Sequence, residues 1–215
     1  MEKFIREPIN SLTHFAGAVV SIFALIAMLM KAYQTGGTAL TYTAATIFGI
    51  SLILLYSASS LYHGVKAHEK VIYFLRKFDH AMIYVLIAGT YAPFCLITLK
   101  GATGFTLFSI VTTIAIAGVI FKLVWFHCPR WLSTFLYIGM GSLAIFVISP
   151  LSQNLPANGI TLLVAGGILY TIGGLIYGFK PRSLDFKHFG HHEIFHIFIL
   201  LGSLAHFLCI FLYVL

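Results

Sequence analysis

Long apolar stretches alternate along the chain with short polar breaks. Seven stretches, at about 12–30, 41–63, 78–98, 105–126, 132–150, 159–179 and 191–214, approach the ~20 residues an α-helix needs to cross the hydrocarbon of a bilayer. The separators carry helix breakers: Thr35-Gly36-Gly37, Lys100-Gly101, Cys128-Pro129, Pro156-Ala157-Asn158-Gly159 and Pro181-Arg182-Ser183. This pattern predicts an all-α integral membrane protein, a single seven-transmembrane helix bundle over residues 1–215. It leaves no room for a soluble domain, and no internal repeat is visible. The first stretch is longer than the apolar core of a signal peptide and has no clear cleavage site after it, so it reads as a retained span. Pro93 is expected to kink the third span, and Gly174 and Gly178 to permit close helix contact on the sixth.

Composition agrees with the pattern. Hydrophobic residues make up 60% of the 215 positions and charged residues only 9%, where a soluble domain carries about a quarter charged. The basic excess, 13 Lys and Arg against 6 Asp and Glu, reads as an orientation signal. The loops are too short for a nucleic-acid module, so no nucleic-acid partner is expected. Placing the N-terminus with the second, fourth and sixth loops gathers eleven basic residues on one side: Lys3, Arg6, Lys66, Lys70, Arg76, Lys77, Lys122, Arg130, Lys180, Arg182 and Lys187. Only Lys31 and Lys100 fall on the other. The expected arrangement therefore has a cytoplasmic N-terminus and an external C-terminus. Cys95, Cys128 and Cys209 have no ligand-like spacing and read as packing residues.

With that orientation, polar groups from four spans fall at one depth, near the cytoplasmic end. His63 closes the second span, Asp79 opens the third, His192 and His196 open the seventh, and His14 lies near the start of the first. Ionisable groups are costly at membrane depth and mark functional sites by default. His192 and His196 are spaced i,i+4, on one helix face, which suits two ligands of one ion. Three imidazoles with one open position is the pattern of a catalytic zinc site. Asp79 can serve as a fourth ligand, or can orient water at the metal and accept its proton. Equally, it can simply cap the third span. Ser59 shares a face with His63 and can donate to a developing oxyanion, or bond its own helix. Glu7, Asn10 and His14 share one face at i, i+3 and i+7, behind Pro8, as accessory groups or as capping and interfacial ones. His188 and His191 belong to the basic loop. His206 lies about 15 Å beyond His196 by helical rise, too far to share the ion, and is expected to bond within the bundle.

EPINSLTH at Glu7–His14, SSLYH at Ser59–His63, FDH at Phe78–His80 and HHEIFH at His191–His196 together resemble the hemolysin III proteins, bacterial members of the progestin and adipoQ receptor family. The resemblance covers essentially all seven spans. The wider superfamily includes alkaline ceramidases, and their shared pattern implies zinc-dependent amide hydrolysis. Carried over, it makes His63, His192 and His196 ligands of Zn2+ and makes Ser59 and Asp79 their catalytic companions. It also implies a bacterial cell membrane location. The chain lacks the long N-terminal region of the eukaryotic receptors and has minimal external loops, so no protein hormone is expected as a partner.

Three functions compete at this level. The first is hydrolysis of a lipid amide or ester in membrane homeostasis, with a membrane lipid as substrate. The second is a sensor of membrane state with a structural zinc. The third, a pore-forming cytolysin, fits least, because the outer halves of the spans offer almost no polar lining. The sequence leaves the oligomeric state open.

Overall fold

In hydrocarbon every backbone polar group must find its partner within the protein, which leaves helices as the economical way to cross. The computed structural model describes residues 5–186 and 189–215 and contains no strand among them, only an isolated bridge between Phe186 and Phe189. Its helices are α1 (Pro8–Gln34), α2 (Ala39–Gly64), α3 (Glu69–Pro93), α4 (Gly101–Val124), α5 (Arg130–Ser142), α6 (Ile148–Asn154), α7 (Ala157–Phe179) and α8 (His191–Cys209). Because α5 and α6 together make the fifth crossing, seven segments are long and apolar enough to span a membrane. Lys3, Lys187 and His188, which entered the sequence reading, lie outside the described residues.

Helix α1 ends where Gly36 takes a left-handed φ of 69° that a side chain would resist. The Gly36 and Gly37 amides then bond back to the Tyr33 and Ala32 carbonyls at 3.2 and 2.7 Å. Helix α2 restarts at once, Thr38 and Thr41 forming a reciprocal cap in which the Thr38 amide donates to Thr41 Oγ1 at 3.1 Å. Helix α1 packs on α2 and α8, α2 on α3, α3 on α4 and α5, α5 on α7, and α7 on α8. Ser11 and Ser60 lock α1 to α2, each hydroxyl donating to the other's carbonyl at 3.1 and 3.0 Å. Gly174 and Gly178 face Ile138 and Thr134 of α5, as close helix contact requires.

Three details depart from the apolar pattern. Helix α3 begins at Glu69, because its first turns are charged and fall outside the apolar stretch; His68 Nδ1 accepts from the Lys70 amide at 3.4 Å. Asp79 thus lies well inside a continuous helix, and the capping alternative for it is excluded. Beyond Pro93 the chain continues as a wider π-helical turn over Phe94–Leu99. Proline has no N–H for the carbonyl four residues back, so the helix changes register there.

The fifth crossing is also interrupted. A tight 3-10 segment, Leu143–Val147, separates α5 from α6. Pro150 cannot bond the Phe146 carbonyl, and its ring crowds that carbonyl. Just before this segment the Tyr91 hydroxyl of α3 enters the helix: its one proton is shared between the Met140 and Gly141 carbonyls, at 3.0 and 2.7 Å, and its oxygen accepts from the Ala144 amide at 2.9 Å. Lys122, counted from sequence among the basic residues of the N-terminal side, is only 2% exposed, and its Nζ donates to Ser133 Oγ at 2.5 Å and Cys128 Sγ at 3.4 Å.

Candidate metal centre

Four helices deliver the polar cluster to one end of the bundle. The last turn of α2 supplies His63, the first two turns of α8 supply His192 and His196, α1 supplies His14, and α3 supplies Asp79. One nitrogen from each of His63, His192 and His196 lies within 4.8 Å of the others, a group able to hold a metal ion. His63 Nε2 and His192 Nε2 are 3.3 Å apart. Two nitrogens bound at 2.0–2.1 Å to one tetrahedral ion are separated by about 3.3–3.4 Å, so this pair needs little adjustment to share one.

The other edge of His63 explains its orientation. Its Nδ1 lies 2.6 Å from Glu7 Oε2. A carboxylate accepts, so Nδ1 carries the proton and Nε2 presents a lone pair to the cluster. Glu7 sits at the cap position of α1 but makes no side-chain cap bond, because its carboxylate is turned to the histidine. Burial disfavours its charge, yet the hydrogen bond from the neutral His63, with the Arg6 charge and the Asn10 amide, holds its pKa below the usual carboxylate range. The segment before α1 is tied to the end of α2. The Arg6 and Glu7 amides donate to the Gly64 and His63 carbonyls at 3.3 and 2.9 Å, and the Arg6 guanidinium donates to the Tyr62 carbonyl and stacks 4.5 Å from the Tyr62 ring. The last carbonyls of α2, which have no helical partners, are thereby satisfied.

Asn10 extends this network. Its Nδ2 donates to Glu193 Oε1 at 2.8 Å and lies 3.3 Å from Glu7 Oε2. Glu193 Oε2 accepts from the Gly190 amide at 2.8 Å at the start of α8. Sequence reasoning had missed Glu193; its signal was position, three residues after Gly190, where a carboxylate reaches back to a helix N-terminus. His14 stacks flat on His196, centroids 3.7 Å apart and planes within 7°, with both ring nitrogens buried and unpartnered. His191 points away, its Nδ1 donating to Asp185 Oδ1 at 2.7 Å.

Asp79 and Ser59 stand beside the triad on the wall of a cavity of about 420 Å³, together with His14, His192 and His196. Asp79 is 9% exposed, and its Oδ2 is 3.3 Å from His80 Nδ1. His80 is also fixed by the Arg76 carbonyl and, through Nε2, by the Tyr177 hydroxyl, each at 2.8 Å. The rest of the wall is chiefly apolar, from α3, α5, α7 and α8. Ile145, Val164 and Ile168 belong to that wall and are also exposed on the outer surface, so the cavity reaches the lipid-facing side between the fifth crossing and α7.

The fold and this cluster define a multi-pass membrane protein with a histidine site buried among its helices. Comparison with known proteins narrows the class. The family described as Haemolysin-III related matches residues 2–207, and the chain belongs to it. It is 45% identical to Hemolysin-3 of Bacillus cereus over 100% of this chain and 95% of that protein. It is 43% identical to the Hemolysin-3 homolog of Bacillus subtilis over 97% of this chain and 95% of that one. More distantly, it is 24% identical to the human monocyte to macrophage differentiation factor, over 79% of this chain and 69% of that protein.

If Glu7 fixes the His63 ring, Glu7→Gln should weaken metal affinity about 10–100-fold, the usual effect of losing the partner of a ligating histidine. Competition with a chromophoric chelator measures this. Unchanged affinity would leave Glu7 as a tether of the N-terminal segment alone.

Proposed function

We propose that this protein is a zinc-dependent hydrolase of a lipid amide or ester in the bacterial cell membrane. The supporting observation is the junction of two environments: of three convergent imidazoles, those of His192 and His196, with Asp79 and Ser59, line an apolar cavity within the membrane-spanning helices. A volume of about 420 Å³ lies in the range of small-molecule sites, and its lining suits an acyl chain. Three nitrogen donors with an open position favour zinc. Zinc bound there would polarise the scissile carbonyl and activate water near neutral pH.

The chain's own residues complete the chemistry. Glu7 holds His63 in the ligating tautomer. Asp79 takes the proton from the attacking water and returns it to the departing nitrogen or oxygen. Ser59 donates a hydrogen bond to the carbonyl oxygen as charge develops on it. The apolar wall holds the chain and limits bulk water to the site's end of the cavity.

The eleven-to-two division of basic residues supports a cytoplasmic N-terminus and an external C-terminus, and hence a site near the cytoplasmic face. Reporter fusions at both termini test this; a cytoplasmic C-terminus would reverse it. The activity itself is tested by metal analysis of purified protein, followed by mass spectrometry of a lipid library before and after incubation. About one zinc per chain with release of a fatty acid is expected. Zinc without turnover of any lipid would favour the non-catalytic sensor.

A further inference from the structure

The cavity does not end at the apolar wall opposite the triad. It adjoins a second space of about 50 Å³, lined by residues such as Phe94, Leu107, Val147 and Leu151. Both spaces share Thr90, Tyr91, Gly141, Ala144, Leu163 and His206, which therefore form the neck between them. A titratable side chain at such a neck, deep in the bundle and only 5% exposed, needs a reason to be there.

His206 is built in with care. Its ring lies against Gly166, where even a Cβ would come within 2.4 Å of it, and it stacks on Tyr170 with centroids 5.1 Å apart. Nδ1 is 2.8 Å from the Gly202 carbonyl, so Nδ1 carries the proton and Nε2 keeps a bare lone pair. Thr90 gives its hydroxyl proton to the Leu86 carbonyl at 2.9 Å, and its oxygen is within hydrogen-bonding reach of the Tyr170 hydroxyl. His206 Nε2 thus offers an acceptor to the cavity, with the Thr90 hydroxyl at the same neck and the protons of both side chains committed elsewhere. The complementary ligand group is a hydroxyl.

We infer that the neck at His206 and Thr90 is a second polar subsite, which receives a hydroxyl carried part-way along a lipid chain whose tail continues into the smaller space. The inference rests on the reading of the main cavity as an acyl-chain site. His206 follows His196 by ten residues, about 15 Å of helical rise. An extended chain advances about 1.2 Å per bond, so the hydroxyl belongs about a dozen bonds from the group at the triad. Mid-chain hydroxyacyl lipids are the ligand class this selects.

The test uses the whole protein in nanodiscs and two probes of equal length, stearic acid and a mid-chain hydroxystearic acid, competing with radiolabelled stearate. The wild-type protein should bind the hydroxy acid about tenfold more tightly, the scale of one buried hydrogen bond. His206→Phe should abolish the preference while leaving zinc content unchanged, and Thr90→Val should reduce it. Moving the hydroxyl next to the carboxyl end should remove the advantage even in the wild type, a comparison that needs no variant to fold. Equal binding of both acids would overturn the subsite and leave the metal reading intact. Binding of neither would remove the acyl-chain site on which it rests. A preference that survives His206→Phe would overturn the assignment to the neck.

Discussion

Replacing His192 or His196 with Ala is expected to strip most of the zinc from the purified protein, whereas His206→Ala should leave it bound. Each of the first two histidines supplies one of the three nitrogens gathered within 4.8 Å, and a tetrahedral site left with two protein ligands holds zinc weakly. His206 is bonded to Gly202 within its own helix and stands about 15 Å of helical rise beyond His196. The measurement is zinc per chain by atomic emission, with the melting temperature recorded to separate loss of metal from loss of fold. His63→Ala should behave like the α8 variants, since its Nε2 faces His192. Equal zinc in all of them would sink the assignment.

The second large effect concerns Asp79. With its place inside α3 settled, Asp79→Asn no longer tests a helix cap. It removes a charge and a proton acceptor from the cavity wall while keeping an oxygen for His80. If Asp79 takes the proton from water, lipid turnover should fall on the order of 10²-fold or more, the scale of losing a general base. Zinc content should change far less, because the three histidines remain. Full turnover with zinc retained would rule out the base. Loss of zinc and turnover together would make Asp79 a fourth ligand and favour a structural centre.

What the sequence disclosed follows from which forces are local. Seven apolar stretches foretold seven crossings, because transfer into hydrocarbon depends on composition over about 20 residues. The i,i+4 pair His192 and His196 was legible because helical periodicity alone puts both on one face. That His63 would join them required only the orientation of the spans and the rarity of buried histidines. Glu7 was legible as a member of a face, but its partner was not, since that depends on how α1 is rotated against α2. The link from Asn10 to Glu193 was hidden for the same reason. The break within the fifth crossing involves backbone groups bonded from another helix, by Tyr91. Hydropathy carries no trace of such bonds. The burial of Lys122 was not legible, because a charge at a span's end normally seeks water, whereas here Ser133 and Cys128 hold it inside.

The division of the triad between α2 and α8 bears on biosynthesis. A chain emerging from the ribosome inserts its early helices first, so His63 enters the membrane long before His192 and His196 are translated. Until α8 packs against α1, the nascent protein has one imidazole of the three. On the proposed reading, metal capture would wait for the last step of assembly, and a product truncated before α8 would lack two of the three candidate ligands.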